Sequence, residues 1–82
     1  SAEAQDCGCY ESTRSQAIQL MQKSQYTKAI AVLKAAKDCP DKPADDDLDA
    51  KIKECQAEIE RISRLRREAE KLNFLSMEKR HI

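Results

Sequence analysis

Residues 12–40, with the sequence STRSQAIQLMQKSQYTKAIAVLKAAKDCP, decide the fold of this chain. Apolar side chains recur at steps of three and four residues in the first half of this stretch, and the second half repeats the pattern. Ser24 and Gln25 separate the two periodic segments, and Pro40 cannot continue the second helix. The sequence therefore predicts two antiparallel helices joined by a loop of about two residues.

The two halves of this hairpin have recognisable ends and a shared core. The first helix is predicted over about 11–23, with Ser12 or Thr13 as its N-cap, and Ser24 is a candidate N-cap for the second helix. Small side chains at the predicted contact would let the two backbones approach closely. The residues predicted to form the hairpin core are Ala17, Leu20, Tyr26, Ala29, Ile30, Leu33 and Ala36.

The second half of the hairpin contains the pattern Tyr-x-x-Ala-Ile-x-x-Leu, formed by Tyr26, Ala29, Ile30 and Leu33. Extended by Ala17, Leu20, Ala36 and Pro40, this pattern resembles the signature of a tetratricopeptide repeat. The resemblance implies a helical hairpin and a protein-binding rather than a catalytic role.

The resemblance covers about 30 residues, roughly a third of the chain, and departs from the family pattern at four positions. Thr13 and Gln16 are polar where the family has large apolar residues, Ser24 stands where glycine is common, and Pro40 comes one position early. Only one repeat is visible, whereas a solenoid usually needs about three.

Residues 35–55 are also similar to a segment of tetratricopeptide-like modules in exported proteins from Bacteroides-type bacteria. This similarity implies an extracytoplasmic location, periplasmic or secreted. The small-x-small triplet near Ala2 and Ala4 is either a remnant of a cleaved signal peptide or an expression-tag scar, in a segment 1–10 expected to be flexible. Four cysteines in 82 residues also favour an oxidising compartment.

Composition excludes several classes of function. The chain is 37% charged with a formal net charge of zero, so it is not built to coat nucleic acid or an anionic membrane. It has no apolar run of the roughly 18 residues that a membrane span needs, and its single glycine excludes a glycine-rich phosphate loop. We expect no membrane insertion, no nucleic-acid partner and no small-molecule substrate.

Residues 41–45 form a predicted loop rich in proline and aspartate, and residues 46–80 a predicted third helix. Asp45 or Asp46 is expected to cap this helix, because negative charge is favourable at a helix N-terminus. The fold class is therefore all-α, with a tetratricopeptide-like hairpin followed by a long amphipathic helix.

The second half of the third helix is predicted to extend beyond the hairpin and to contact another chain. About thirty helical residues span roughly 45 Å, which is more than twice the length of either hairpin helix. The apolar spacing favours a coiled coil or bundle and predicts a homodimer. Alternatively, the helix breaks near Asn73, or a further domain covers the apolar residues. The predicted contact residues are Ile62, Leu65, Ala69, Leu72 and Leu75.

The basic residues from Arg61 to Lys71 are interpreted as a solvated helix surface rather than a phosphate-binding one. Glutamates lie among them, and some can form salt bridges one turn along the helix, for example Glu60 with Arg64. Aromatic side chains that stack on bases are also scarce.

The cysteines are the remaining candidate site. A Cys39–Cys55 disulfide would connect the second and third helices across the proline loop, and buried thiols are the alternative. Cys7 and Cys9 could bind a soft metal or exchange disulfides, or pair with each other, with Cys39 or Cys55, or with another chain.

Catalysis finds no support in the sequence. His81 lies in a terminal tail, so no nucleophile–histidine arrangement can be argued, and we expect no enzyme activity and no cofactor. The sequence predicts a non-catalytic protein-interaction or assembly module that self-associates through its third helix. The alternative is a small thiol protein that uses Cys7 and Cys9 for metal binding or disulfide exchange.

Overall fold

The structure is a computed structural model that describes residues 8–81, with side chains described for residues 8–74. It contains the helices α1 (Cys9–Gln22), α2 (Tyr26–Ala36) and α3 (Leu48–His81), and the described residues include no strand. The predicted all-α fold, a helical hairpin followed by a long third helix, is confirmed.

The helix bounds differ by a few residues from those predicted. The first helix begins at Cys9, two residues earlier than the sequence suggests, so the expected flexible segment overlaps its first turn. The third helix begins at Leu48 and continues to His81, so it does not break near Asn73. Residues 1–7, including Cys7, lie outside the described residues.

The core consists of α2 packed against α1 on one side and α3 on the other. Ala29, Leu33 and Ala36 of α2 are fully buried. Ala17 of α1 and Leu48, Ile52 and Cys55 of α3 complete the buried cluster. Leu20, Tyr26 and Ile30 of the predicted hairpin core are partly buried against it. Most of the buried side chains are small, so this core holds little apolar volume.

The turn between α1 and α2 is built around Ser24, which has a φ of 61°. The N–H of Ser24 donates to the carbonyl of Met21 at 3.0 Å, and the N–H of Gln25 donates to the carbonyl of Leu20 at 2.8 Å. These two bonds are those of a Schellman C-cap, in which one residue adopts the left-handed conformation. Ser24 therefore ends α1, and the expectation that it caps α2 is wrong: Gln25 occupies the N-cap position of α2, with no side-chain cap bond.

The loop between α2 and α3 is held by aspartates. Asp46 accepts a hydrogen bond from the N–H of Leu48 at 3.0 Å and forms an ion pair with Lys42 at 2.8 Å. The side-chain bond expected of Asp45 or Asp46 is thus made by Asp46, but the N-cap position is occupied by Asp47, whose carbonyl accepts from the N–H of Lys51 at 3.0 Å. Asp49, in the first turn of α3, pairs with Lys37 just beyond α2. The acidic cluster therefore fixes where α3 begins.

The third helix extends well beyond the hairpin. Its 34 residues correspond to about 51 Å, whereas the 14 residues of α1 correspond to about 21 Å. The radius of gyration is 19.2 Å, while a compact chain of this length would have about 12 Å. Every described side chain from Arg64 to Phe74 is exposed. We call residues 64–81 the overhang of α3. Within residues 8–81, no helix combines the length and apolar composition needed to cross a membrane.

Replacing Ser24 by glycine should stabilise the protein. A left-handed conformation costs an L-residue about 1–2 kcal/mol, and glycine avoids this cost but loses more backbone entropy on folding. We expect Ser24→Gly to raise the free energy of unfolding by about 0.5–1 kcal/mol, measured by thermal or urea unfolding. The control is Ser15→Gly, at an exposed position within α1, which should lower stability by about as much. Equal effects of the two substitutions would contradict the proposed role of the turn.

Candidate functional site

The overhang of α3 exposes large apolar side chains. Leu65 is 52% and Leu72 68% exposed, and Ala69 between them is also exposed. Ile62, one turn before Leu65, is half-buried at the edge of the hairpin. The side chain of Leu75, the fifth predicted contact residue, lies outside the described side chains. We call Leu65, Ala69 and Leu72 the leucine stripe.

The leucine stripe does not continue the face of α3 that packs on the hairpin. At about 100° per residue, Leu65 lies roughly 100° around the helix from Leu48. Leu65, Ala69 and Leu72 fall within about 60° of one another by the same measure. Phe74, which is 60% exposed, lies on the opposite side of the helix, about 180° from Leu65. The stripe therefore forms a separate apolar surface, which the hairpin cannot cover.

A groove between α1 and α3 lies next to the leucine stripe. It is open to solvent and has a volume of about 730 Å³. Its α1 side is apolar, with Ile18 and Met21, and Tyr26 lies at its end near the turn. Its α3 side includes Glu58 and Arg61. On α3 these two residues fall within about 40° of Leu65, so the groove opens onto the stripe.

The charges on α3 pair along the helix. Arg61 donates to Glu58 at 2.7 Å, and Arg67 lies 3.7 Å from Glu60. The expected partner of Glu60 was Arg64, and the structure pairs it with Arg67 instead. These exposed pairs each contribute little to stability, but they leave the basic run largely balanced by acidic neighbours.

A second candidate site lies at the start of α1, where Cys9 forms a disulfide with Cys39. The Cα atoms are 5.7 Å apart, a usual separation for a disulfide. The bond connects the first turn of α1 to the loop after α2 and closes a loop with a sequence separation of 30 residues. In the chain-entropy model such a bond stabilises the fold by about 3.5 kcal/mol.

The expected Cys39–Cys55 disulfide is therefore wrong. Cys55 is a free, buried thiol on α3, and burial raises its pKa. Cys55 lies seven residues into α3, about 10 Å along the axis from Leu48, whereas Cys39 lies beside the first turn of α1. Cys9, one member of the predicted Cys7–Cys9 thiol pair, is bonded to Cys39, and Cys7 lies outside the described residues.

Polar groups surround this disulfide. The N–H of Tyr10 donates to Oδ1 of Asp41 at 3.0 Å. The hydroxyl of Thr13 lies 3.9 Å from the sulfur of Cys39. Cys39 is buried, Cys9 half-buried and Asp41 exposed, so one side of the site faces solvent. Sequence analysis did not bring Asp41 or Thr13 into this site.

An ion pair holds the far end of the loop to α1. Arg14 donates through Nε and Nη2 to the two carboxylate oxygens of Asp47, at 2.9 and 2.6 Å. This bidentate hydrogen bond lowers the pKa of Asp47 to about 2. Lys51 adds a weaker attraction at 3.8 Å. The start of α1 is thus attached to the loop by a disulfide, by Tyr10 and by Arg14.

Comparisons with family models, with curated proteins and with solved structures found no match to this chain.

The disulfide can be tested by the response of stability to a reductant. In a Cys7→Ser background, reduction should lower the free energy of unfolding by about 3.5 kcal/mol. Cys9→Ser should abolish this response, whereas Cys55→Ser should keep it. The opposite result, with Cys55 required and Cys9 dispensable, would show that Cys39 bonds to Cys55.

The Arg14–Asp47 pair should make stability depend on pH. The carboxyl of Asp47 has a lower pKa in the folded state than its ordinary value of 3.8, so its contribution is present above about pH 4 and is lost as pH falls toward 2. Because this side chain is 43% exposed, we expect only about 1 kcal/mol.

Thermal unfolding of Asp47→Asn should therefore show lower stability than wild type at pH 7 and a much smaller deficit at pH 2, where about half of the folded wild-type carboxyl is protonated. The control is Asp45→Asn, which removes an exposed carboxylate of the same loop and should change little. A deficit of Asp47→Asn that persists unchanged at pH 2 would contradict the ion-pair argument.

Proposed function

We propose that this protein is a non-catalytic protein-interaction module of tetratricopeptide-like type, which self-associates through α3. The observation that carries the proposal is the leucine stripe, an apolar surface on a helix that extends beyond its own domain. Large exposed apolar surfaces on a small soluble domain usually mark an interface. The occupant we propose is a second copy of the chain.

The energetics indicate how the two copies would meet. The four leucines of a dimer are each half or more exposed in the monomer and would contribute on the order of 5 kcal/mol. Association costs at least about 4 kcal/mol in lost freedom of motion. The stripe alone therefore supports at most a weak dimer, and a stable one must bury further apolar surface.

An antiparallel arrangement supplies that surface. In it, the overhang of the partner would run along the leucine stripe and on into the groove beside Ile18 and Met21. In a parallel arrangement, the partner's own hairpin would lie at the level of this groove. Because the overhang has no hairpin beside it, only the antiparallel pair lets each helix end enter the other copy's groove. We therefore propose a two-fold antiparallel dimer.

We also propose that the protein works outside the cytoplasm. The Cys9–Cys39 disulfide supports this location, because such bonds persist in oxidising compartments. The resemblance of residues 35–55 to segments of exported proteins points in the same direction.

The double substitution Leu65→Glu and Leu72→Glu should convert the dimer into a monomer, because it places four carboxylates at the proposed contact. Sedimentation equilibrium of wild type should give about twice the mass of the chain, and the double variant the mass of one chain. A single-chain mass for wild type, or an unchanged mass for the double variant, would refute self-association through the stripe.

Phe74→Glu is the matched control, since Phe74 is similarly exposed but lies on the opposite side of α3. It should leave the mass unchanged. Ile18→Glu tests the arrangement: it should weaken an antiparallel dimer, and undiminished dimerisation would exclude the groove from the interface. Far-ultraviolet circular dichroism of each variant would show that the helices are retained.

A further inference from the structure

Three side chains with metal-binding atoms meet at the start of α1. The sulfurs of Cys9 and Cys39 and a carboxylate oxygen of Asp41 all lie within 4.8 Å of one another. Thiolates and carboxylates are both zinc ligands, and zinc sites with three protein ligands keep a fourth position for water. We propose that reduction of the Cys9–Cys39 disulfide converts this cluster into a Zn²⁺ site formed by Cys9, Cys39 and Asp41.

The backbone is already placed for such a site. Two thiolates bound to one tetrahedral zinc at about 2.3 Å lie about 3.8 Å from each other, so the sulfurs must separate once their bond is broken. The Cα atoms of Cys9, in α1, and Cys39, in the loop after α2, are 5.7 Å apart, so rotation of the two side chains accommodates this separation without a shift of the backbone. Asp41 is exposed, so the ion can enter from solvent on its side.

The surrounding hydrogen bonds are of the kind that orient metal ligands. The Tyr10 N–H donates to Oδ1 of Asp41 at 3.0 Å and so fixes the orientation of this carboxylate beside the two sulfurs. The Thr13 hydroxyl lies 3.9 Å from the Cys39 sulfur and can donate to it as a thiolate. Such outer partners fix the ligands in place and raise the affinity of metal sites.

A phosphine reductant supplies the two electrons that convert the Cys9–Cys39 disulfide into two thiols. The phosphine attacks the disulfide and breaks the S–S bond; water supplies the oxygen of the phosphine oxide and the two protons of the thiols. Binding of Zn²⁺ then displaces the two thiol protons as the sulfurs become thiolates. The same pair of cysteines thus connects α1 to the loop covalently when oxidised and through the metal when reduced.

The proposal is tested with Co²⁺ as a spectroscopic substitute for zinc in the full-length chain. Protein reduced with phosphine under anaerobic conditions should bind one Co²⁺ per chain, with thiolate-to-cobalt charge transfer and the visible bands of a tetrahedral site. Zn²⁺ should displace the Co²⁺ and abolish both the charge-transfer absorption and the visible bands. Oxidised protein should show neither absorption. Absence of the thiolate-to-cobalt band in the reduced protein would overturn the proposal.

Asp41→Asn against Asp38→Asn is the decisive comparison. Both remove one exposed carboxylate near Cys39, but only Asp41 belongs to the cluster, and its amide oxygen can still accept from Tyr10. Asp41→Asn should weaken Co²⁺ binding at least tenfold, since loss of even an outer-shell partner costs about 10–100-fold. Equal affinities of the two variants would overturn the assignment of Asp41.

The cysteines are tested singly. Cys9→Ser and Cys39→Ser should each lose the charge-transfer band, whereas Cys55→Ser should keep it because Cys55 is buried in the core. A band that survives Cys39→Ser but is lost in Cys7→Ser would assign the metal to the Cys7–Cys9 pair and overturn the proposed site. Circular dichroism distinguishes loss of binding from loss of the helices. None of these outcomes depends on subunit number, so the site and the proposed dimer succeed or fail separately.

Discussion

Close packing on α2 is the constraint on which the rest of the structure depends. This short helix buries Ala29, Leu33 and Ala36, and both α1 and α3 pack against it. Because the side chains at the contacts are small, the helices approach closely but remove little apolar surface from water. A core of this size is marginal, so the stability of the fold depends strongly on what is attached around it.

Those attachments are concentrated at one end of the molecule. The disulfide, the Tyr10–Asp41 hydrogen bond and the Arg14–Asp47 pair all hold the first two turns of α1 against the loop between α2 and α3. Each joins residues that are far apart in the sequence. The disulfide restricts the unfolded chain, whereas the hydrogen bond and the ion pair form only when the chain is folded. At the other end, the side chains described from Arg64 to Phe74 are all exposed, and no disulfide or hydrogen bond among the described residues ties them to the hairpin. The molecule is therefore cross-linked at the start of α1 and exposed along the overhang of α3, and the proposed dimer would cover the overhang.

Sequence periodicity was sufficient to predict the fold but not the sites. Steps of three and four residues identified three helices, part of the core and the approximate length of α3, because burial of one face requires that spacing. The Cys9–Cys39 disulfide could also have been inferred from sequence positions. The two residues lie equally far from Ser24 in the turn, and an antiparallel hairpin brings such positions together. The leucine stripe is rotated around α3 away from the face that packs on the hairpin. This rotation follows from two consecutive three-residue steps between Ile59 and Leu65, since each such step falls about 60° short of a full turn. Asp41 and Arg14 could not be placed, since their partners depend on the path of an eleven-residue connection that no periodicity describes.

The buried thiol of Cys55 gives the chain an internal reporter of its own motion. Its side chain is completely enclosed between α2 and α3 and its pKa is raised by burial, so an alkylating reagent cannot reach a reactive thiolate in the closed state. Labelling must wait until α3 separates from α2. The rate at which Cys55 is modified therefore measures how often the core opens, in the same way that amide hydrogen exchange does, but at one side chain at its centre.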